Sequence, residues 1–230
     1  MNLILSRHGN TFEAGQKSVW VGARNDLPLT AQGREQARQL AQALAKNKIT
    51  PSAVYCGALR RTKEYSEIVI AKLRLPLKAD NDPRLNEIDY GQWSGLTNEE
   101  VIQRFGRNEF ERWEQDCEWP VQGGWGGSAS GLKQEVHDFA HEITRKFAEH
   151  DSILVVTSNG RLRYFLTLVE GEFERRVREK TLKVKPGNIG KLSWRKRPLS
   201  GGLGPTERRR REGTFQISCW NTKPNGLERL

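Results

Sequence analysis

No stretch of eighteen apolar residues occurs anywhere in the 230-residue chain, so a helical membrane span is excluded. The N-terminus lacks a basic region followed by a long apolar one, and no conventional signal peptide is expected. Cysteine is scarce. Cys56, Cys117 and Cys219 are odd in number, widely spaced and without a Cys-x-x-Cys pair, which argues against both a disulfide framework and a cysteine zinc site. A reducing cytoplasm is the simplest expected location. The glycines at 123, 124, 126, 127 and 131 do not form a Gly-x-Gly-x-x-Gly loop after a strand, so no dinucleotide cofactor is expected. His137 and His141 are four apart on a predicted helix but have neither a His-Glu-x-x-His motif nor a third nearby ligand, so no metal is expected.

Acidic charge is also in deficit: 28 Asp and Glu face 38 Lys and Arg, a net charge of +10. Half of that excess lies between Arg195 and Thr214, where seven basic residues, Arg208, Arg209, Arg210 and Arg211 among them, stand against Glu207 and Glu212. Pro198, Gly201, Gly202, Gly204 and Pro205 bar a continuous strand or a stable helix, so residues 195–213 are expected to form a flexible basic loop. Clustered arginines attract polyanions irrespective of their sequence. The loop is therefore either a solvated connection or the contact for a phosphate-rich or acidic partner.

Hydrophobic residues make up 36% and charged residues 29%, between the ranges of disordered and membrane chains, and the length suits one domain carrying an insertion. β and α segments alternate, the pattern of a three-layer α/β fold with a mostly parallel sheet and helices on both faces. Leu3–Leu5 reads as a strand and Thr30 as the cap of a helix in which Ala37, Leu40, Ala41 and Leu44 recur at helical spacing. Ala53–Tyr55 and Leu59–Leu73 read as the next strand and helix. Ile153–Val156 is a continuous apolar run typical of a buried parallel strand, preceded by a helix over Leu132–Ala148. Residues of about 96–131 read as an inserted helical cap, and Gly190–Trp194 with Thr214–Trp220 as a hairpin joined by the basic loop. Trp93, Trp113, Trp119 and Trp125 fit either core packing or an apolar wall for an organic leaving group.

Open α/β sheets bind ligands at the carboxyl ends of their strands. Three predicted strand exits carry Arg7 with His8, Arg61, and Arg163, a cationic pocket around an imidazole. Guanidinium groups bind phosphate through paired hydrogen bonds, and a neutral imidazole attacks phosphorus, so phosphoryl transfer is the chemistry this set suits. Glu87, just past a further predicted strand, is the candidate to protonate the leaving oxygen.

Leu5-Ser6-Arg7-His8-Gly9-Asn10-Thr11 resembles the Arg-His-Gly signature of the histidine phosphatase superfamily, the phosphoglycerate mutase-like proteins. Further segments are similar to family segments in the same order, across most of residues 3–95. They are Asp26-Leu27-Pro28-Leu29-Thr30 with Gly33, Gln36 and Ala37, then Leu59-Arg60-Arg61-Thr62, then Arg84-Leu85-Asn86-Glu87 with Gly91, Trp93 and Gly95. The resemblance implies a phosphoglycerate mutase-like fold and a metal-independent phosphomonoester hydrolase. By that likeness His8 takes the phosphoryl group, Arg7, Arg61 and Asn10 hold its oxygens, Glu87 protonates the leaving group, and water releases phosphate. The implied partner is a phosphorylated small molecule, with no cofactor.

Besides smaller differences at Ala14 and at Ser128 or Ala129, two departures from the family pattern bear on the chemistry. Ser158 stands where the second histidine is expected, in Thr157-Ser158-Asn159-Gly160, followed by Arg163. A serine donates a hydrogen bond but brings no charge, and losing one preorganised donor costs on the order of a hundred- to a thousand-fold in rate. Asn159 through its amide and Arg161 through its charge are the candidate compensations. The alternative reading is accordingly a catalytically impaired relative that binds a phosphorylated ligand or a protein partner. Ile88 stands where the resembled glycolytic mutases carry an arginine for the phosphoglycerate carboxylate, which makes a mutase the less favoured outcome. The physiological substrate and the oligomeric state are not legible in the sequence.

Overall fold

The structure, a computed structural model, describes residues 1–196 and 213–229. Among the described residues six strands form one sheet in the order β3-β2-β4-β1-β5-β6. The four strands β1 (Asn2–Arg7), β2 (Ala53–Cys56), β3 (Ala79–Asn81) and β4 (Ser152–Thr157) run parallel. β5 (Ile189–Arg195) is antiparallel to β1, and β6 (Thr214–Thr222) is antiparallel to β5 and forms the edge. The expected hairpin is therefore present, with Arg195 paired to Thr214. The basic segment that joins its strands, residues 197–212 with Arg208, Arg209, Arg210 and Arg211, lies outside the described residues. Among the described residues no helix is long and apolar enough to cross a membrane.

Alternation along the strands assigns the two faces of the sheet. Ile4, Val54, Leu154 and Val156 pack with α1 (Ala31–Lys46) and α2 (Arg60–Leu73). Leu3, Leu5, Tyr55, Ile153 and Val155 pack on the other side, with α5 (Ala129–Lys146) and α6 (Asn159–Phe165). Leu3, Ile4 and Leu5 are all completely buried, because helices cover β1 from above and below. α1 starts where its cap predicts: the Thr30 hydroxyl accepts from Gly33 N at 3.1 Å, and Ala37, Leu40, Ala41 and Leu44 face inward. α5 begins three residues before the expected Leu132, because Ser128 caps it by accepting from Gly131 N at 3.1 Å.

Between β3 and α5 the chain forms α3 (Asn98–Phe105), α4 (Arg107–Glu111), one π-helical turn over Arg112–Asp116, and an irregular stretch to Ser128. A capping box starts α3: Thr97 Oγ1 accepts from Glu100 N while Glu100 Oε2 accepts from Thr97 N. The tryptophans left open between core and wall are core. Trp93 and Trp113 are almost fully buried, and Trp125 meets Trp93, Trp113 and Trp119 edge-on at 5.0, 4.8 and 5.3 Å between ring centres.

Candidate active site

β1 and β4 lie side by side with Arg7 opposite Thr157, and His8 N donates to Thr157 O at 3.0 Å. His8 and Ser158 therefore leave the sheet as neighbours. β2 leads into α2, whose first turn carries Arg61, and β3 leads through a 3₁₀ turn at Pro83–Leu85 to Glu87. All four residues emerge at the carboxyl edge of the parallel strands. A Cβ on Gly9 would lie 2.3 Å from Gly33 O, so glycine is what lets the Arg7–Asn10 loop seat against the first turn of α1.

His8 is 6% exposed. Its Nδ1 lies 2.8 Å from Gly9 O, and because a carbonyl only accepts, Nδ1 holds the proton and Nε2 keeps its lone pair. Burial first, then the charges of Arg61 and Arg7, holds the imidazole pKa well below 6.5, so the ring is neutral. Arg7 donates from Nη1 to Val184 O at 2.7 Å. Arg61 is buried and donates to Asn25 O at 2.9 Å and Gly22 O at 2.8 Å. These bonds orient both guanidinium planes and leave further N–H donors, among them the buried and unpaired Arg7 Nε. Desolvation lowers the pKa of both arginines and the charge of Glu87 opposes it in each, which brings Glu87 within electrostatic reach of both.

Glu87 Oε1 accepts from Ile88 N at 2.9 Å and Oε2 from Gly160 N at 3.4 Å, so the carboxylate bridges its own loop and the start of α6. Gly160 is the contact surface: a Cβ there would fall 2.5 Å from Glu87 Oε1 and 2.7 Å from the Tyr90 hydroxyl. Tyr90 is a site residue that sequence reasoning missed. It is buried against Trp20 and Trp125, and burial, then the charge of Glu87, raises its pKa well above 10, which leaves a neutral phenol beside the carboxylate. Its place three residues after Glu87 and just before Gly91 was the available signal.

The other expected residues divide. Ser158 is 1% exposed and its hydroxyl has no hydrogen-bond partner, so an unused donor stands beside His8. Asn159 is engaged elsewhere than expected, its Oδ1 accepting from Val184 N at 2.9 Å. Asn10 also turns away: its Nδ2 donates to Gln32 Oε1 at 2.9 Å, and it borders a groove of about 760 Å³ along α1. Arg163 spends its terminal nitrogens on Trp113 O at 3.0 Å and Glu114 Oε1 at 3.3 Å, with its guanidinium 4.7 Å over the Trp113 ring. Arg161 bonds Asn86 O and Glu135, not the space at His8. The turn Lys185-Pro186-Gly187-Asn188 was also missed. Gly187 N donates to both Arg7 O and His8 O at 3.2 Å, and Asn188 O accepts from Arg7 N at 3.1 Å, so this turn carries the backbone of the His8 loop. Its Pro-Gly-Asn composition marks a turn but not what the turn supports.

The family model of the histidine phosphatase superfamily (branch 1) matches residues 3–198. The chain is similar to the 2,3-bisphosphoglycerate-dependent phosphoglycerate mutase of Parvibaculum lavamentivorans, 30% identical over 166 residues that cover 70% of this chain and 76% of that protein. The protein of the same description from Brucella melitensis biotype 2 is 28% identical over 170 residues, 74% of this chain and 81% of that one. Among solved structures, the chain is similar to the mycobacterial glucosyl-3-phosphoglycerate phosphatase, with a TM-score of 0.74 at 20% identity, covering 96% of this chain and 99% of that one. It is similar also to the alpha-ribazole phosphatase from Shigella flexneri, with a TM-score of 0.68 at 22% identity, covering 97% and 98%. Such likenesses show the shared fold, and the family match runs from the first strand past the end of the fifth: the chain belongs to the histidine phosphatase superfamily.

Proposed function

We propose that the chain is a metal-independent phosphomonoester hydrolase that works through a phosphohistidine on His8. The observation that carries this reading is the neutral, buried imidazole, which donates a hydrogen bond from Nδ1 to Gly9 O, keeps the Nε2 lone pair and feels the charges of Arg61 and Arg7. In the proposed cycle Glu87 first takes the proton of the bound monoanionic phosphomonoester; Nε2 then attacks phosphorus, the bond to the leaving oxygen breaks, and that oxygen takes the proton from Glu87. Water then gives a proton back to Glu87, attacks phosphorus and breaks the P–Nε2 bond, which releases phosphate. Arg7 and Arg61 neutralise the non-bridging oxygens, a task for which the proposal needs no metal. The unpartnered Ser158 hydroxyl is the proposed donor to a further oxygen, while Asn10 and Asn159 brace the loops around it.

Residues 96–131 are the proposed cap over this pocket, within one domain. A hydrolase is favoured over a mutase because Ile88, 2% exposed and apolar, offers no charge to a substrate carboxylate. The curated relatives carry mutase names and the solved structures phosphatase names. Ser158 itself favours one second reading, a relative that binds a phosphorylated ligand with little turnover, because no second imidazole stands beside His8. The deciding assay is phosphate release from a panel of phosphomonoesters by wild type and His8→Ala, with EDTA present. Release that needs His8 and survives EDTA is the expected result. Equal release by both proteins refutes the hydrolase, and ligand binding without release selects the second reading.

A further inference from the structure

We propose that Arg161 is a positioning residue that holds the acid Glu87 and the phosphate-binding Arg61 in a common frame, an inference that rests on the hydrolase reading above. Arg161 lies on α6, three residues after Ser158, and is 4% exposed. Its Nε donates to Asn86 O at 2.9 Å, and Nη1 donates to Glu135 Oε2 on α5 at 2.5 Å. The carbonyl just before, Leu85 O, accepts from Thr157 Oγ1 at 2.6 Å. Two consecutive carbonyls leading into Glu87 are therefore clamped by the end of β4 and the start of α6. Asn86 passes the constraint on, because its Oδ1 accepts from Ala58 N at 2.8 Å, two residues ahead of α2 and three ahead of Arg61.

Guanidinium groups are expensive to desolvate and are rarely this buried without defined partners. Here one partner is a backbone carbonyl, and a charge-assisted bond to it resists displacement more strongly than a neutral one. The charge of Arg161 thus does not replace a second imidazole at the phosphate. It fixes the peptide on which the acid is mounted, and through Asn86 the helix start that carries Arg61. A catalytic group moved by about 1 Å loses on the order of a hundred-fold in rate, so losing the clamp lowers kcat through Glu87 and raises KM through Arg61.

The experiment compares wild type, Arg161→Met, Arg161→Lys and Glu135→Gln by amide hydrogen exchange and by kcat and KM for p-nitrophenyl phosphate. Arg161→Met is expected to speed exchange at the Ala58 and Ile88 amides at least tenfold, leave Leu5 in β1 protected, lower kcat about a hundred-fold and raise KM. Arg161→Lys, which can still reach Asn86 O, is expected to recover most of both. Unchanged exchange at Ala58 and Ile88 in Arg161→Met overturns the proposal, as does loss of protection that includes Leu5, which marks a merely structural role. Should Arg161→Met fail to fold, Glu135→Gln decides: it leaves the Arg161–Asn86 bond in place and is expected to keep wild-type exchange at Ala58 and Ile88, so exchange there at least tenfold faster overturns the proposal. A wild type that releases no phosphate sinks the hydrolase reading, and the exchange measurement still judges the clamp.

Discussion

Gly160→Ala tests the site with the smallest possible addition. Gly160 is not among the residues of positive φ, so an alanine suits its backbone and gains roughly 1 kcal/mol of helix preference. The cost comes from contact. The added Cβ would fall 2.5 Å from Glu87 Oε1, 2.7 Å from the Tyr90 hydroxyl and 2.8 Å from Ile88 Cδ1, where ordinary contact begins at 3.4 Å. The deficits are 0.9, 0.7 and 0.6 Å. Ile88 is buried, and the Tyr90 ring is wedged against Trp20 and Trp125 at 4.9 and 4.7 Å, so the Glu87 carboxylate is the group that moves, by close to its 0.9 Å deficit. Such a shift costs on the order of a hundred-fold in kcat, or about 2.7 kcal/mol of transition-state stabilisation. Overpacking costs about 1–3 kcal/mol, partly offset by the helix gain, so Tm falls by up to about 8 °C and the protein stays folded. The assay is kcat for p-nitrophenyl phosphate beside a circular dichroism melt. A Gly160→Ala protein with wild-type kcat and wild-type Tm would refute the packing of Glu87 on Gly160.

Four further outcomes are expected. Because the folded-state pKa of His8 lies below its ordinary 6.5, the unfolded chain binds a proton that the native state refuses. Stability therefore falls as pH drops below about 6.5, by up to about 1.4 kcal/mol per pH unit. His137, lowered chiefly by burial, acts with the same sign, so urea melts at about pH 7 and about pH 5 should show wild type losing more than His8→Asn; equal losses contradict a neutral His8. Ser158→Ala removes a buried hydroxyl without a partner, whose desolvation costs roughly 1–3 kcal/mol, so Tm rises without ligand, whereas orthovanadate stabilises wild type more than the variant. A lower Tm, or an equal vanadate shift, counts against that role. Arg61→Lys loses the fork that bonds Gly22 O and Asn25 O, and should raise KM at least about tenfold; an unchanged KM removes Arg61 from phosphate binding. Replacing Arg208, Arg209, Arg210 and Arg211 by serine should abolish salt-sensitive retention on heparin, and unchanged retention dismisses the polyanion contact.

The residues after β1, β2, β3 and β4 were legible because each effect is local. An apolar run makes a buried strand, Thr30 caps the next helix, and the exits of an α/β sheet face one edge, so His8, Arg7, Arg61 and Glu87 could be named before any coordinates. Asn10, Asn159, Arg161 and Arg163 were not assignable in the same way. Each is polar and close in sequence to a strand exit, yet its partner, Gln32, Val184, Asn86 or Trp113, lies from 22 to 75 positions away. Side-chain direction is decided by such distant partners, because a buried donor must find an acceptor wherever the fold brings one. Tyr90 and the turn at 185–188 were overlooked for the same reason, since neither has chemistry until Glu87 or the His8 backbone is packed against it. The sequence alone thus determined the sheet, the buried imidazole at the first strand exit and the charges around it, through periodicity and strand-exit position. Only the tertiary structure decided which polar groups stay unpaired beside His8 and which brace the loops, because that choice depends on contacts between segments far apart in the chain.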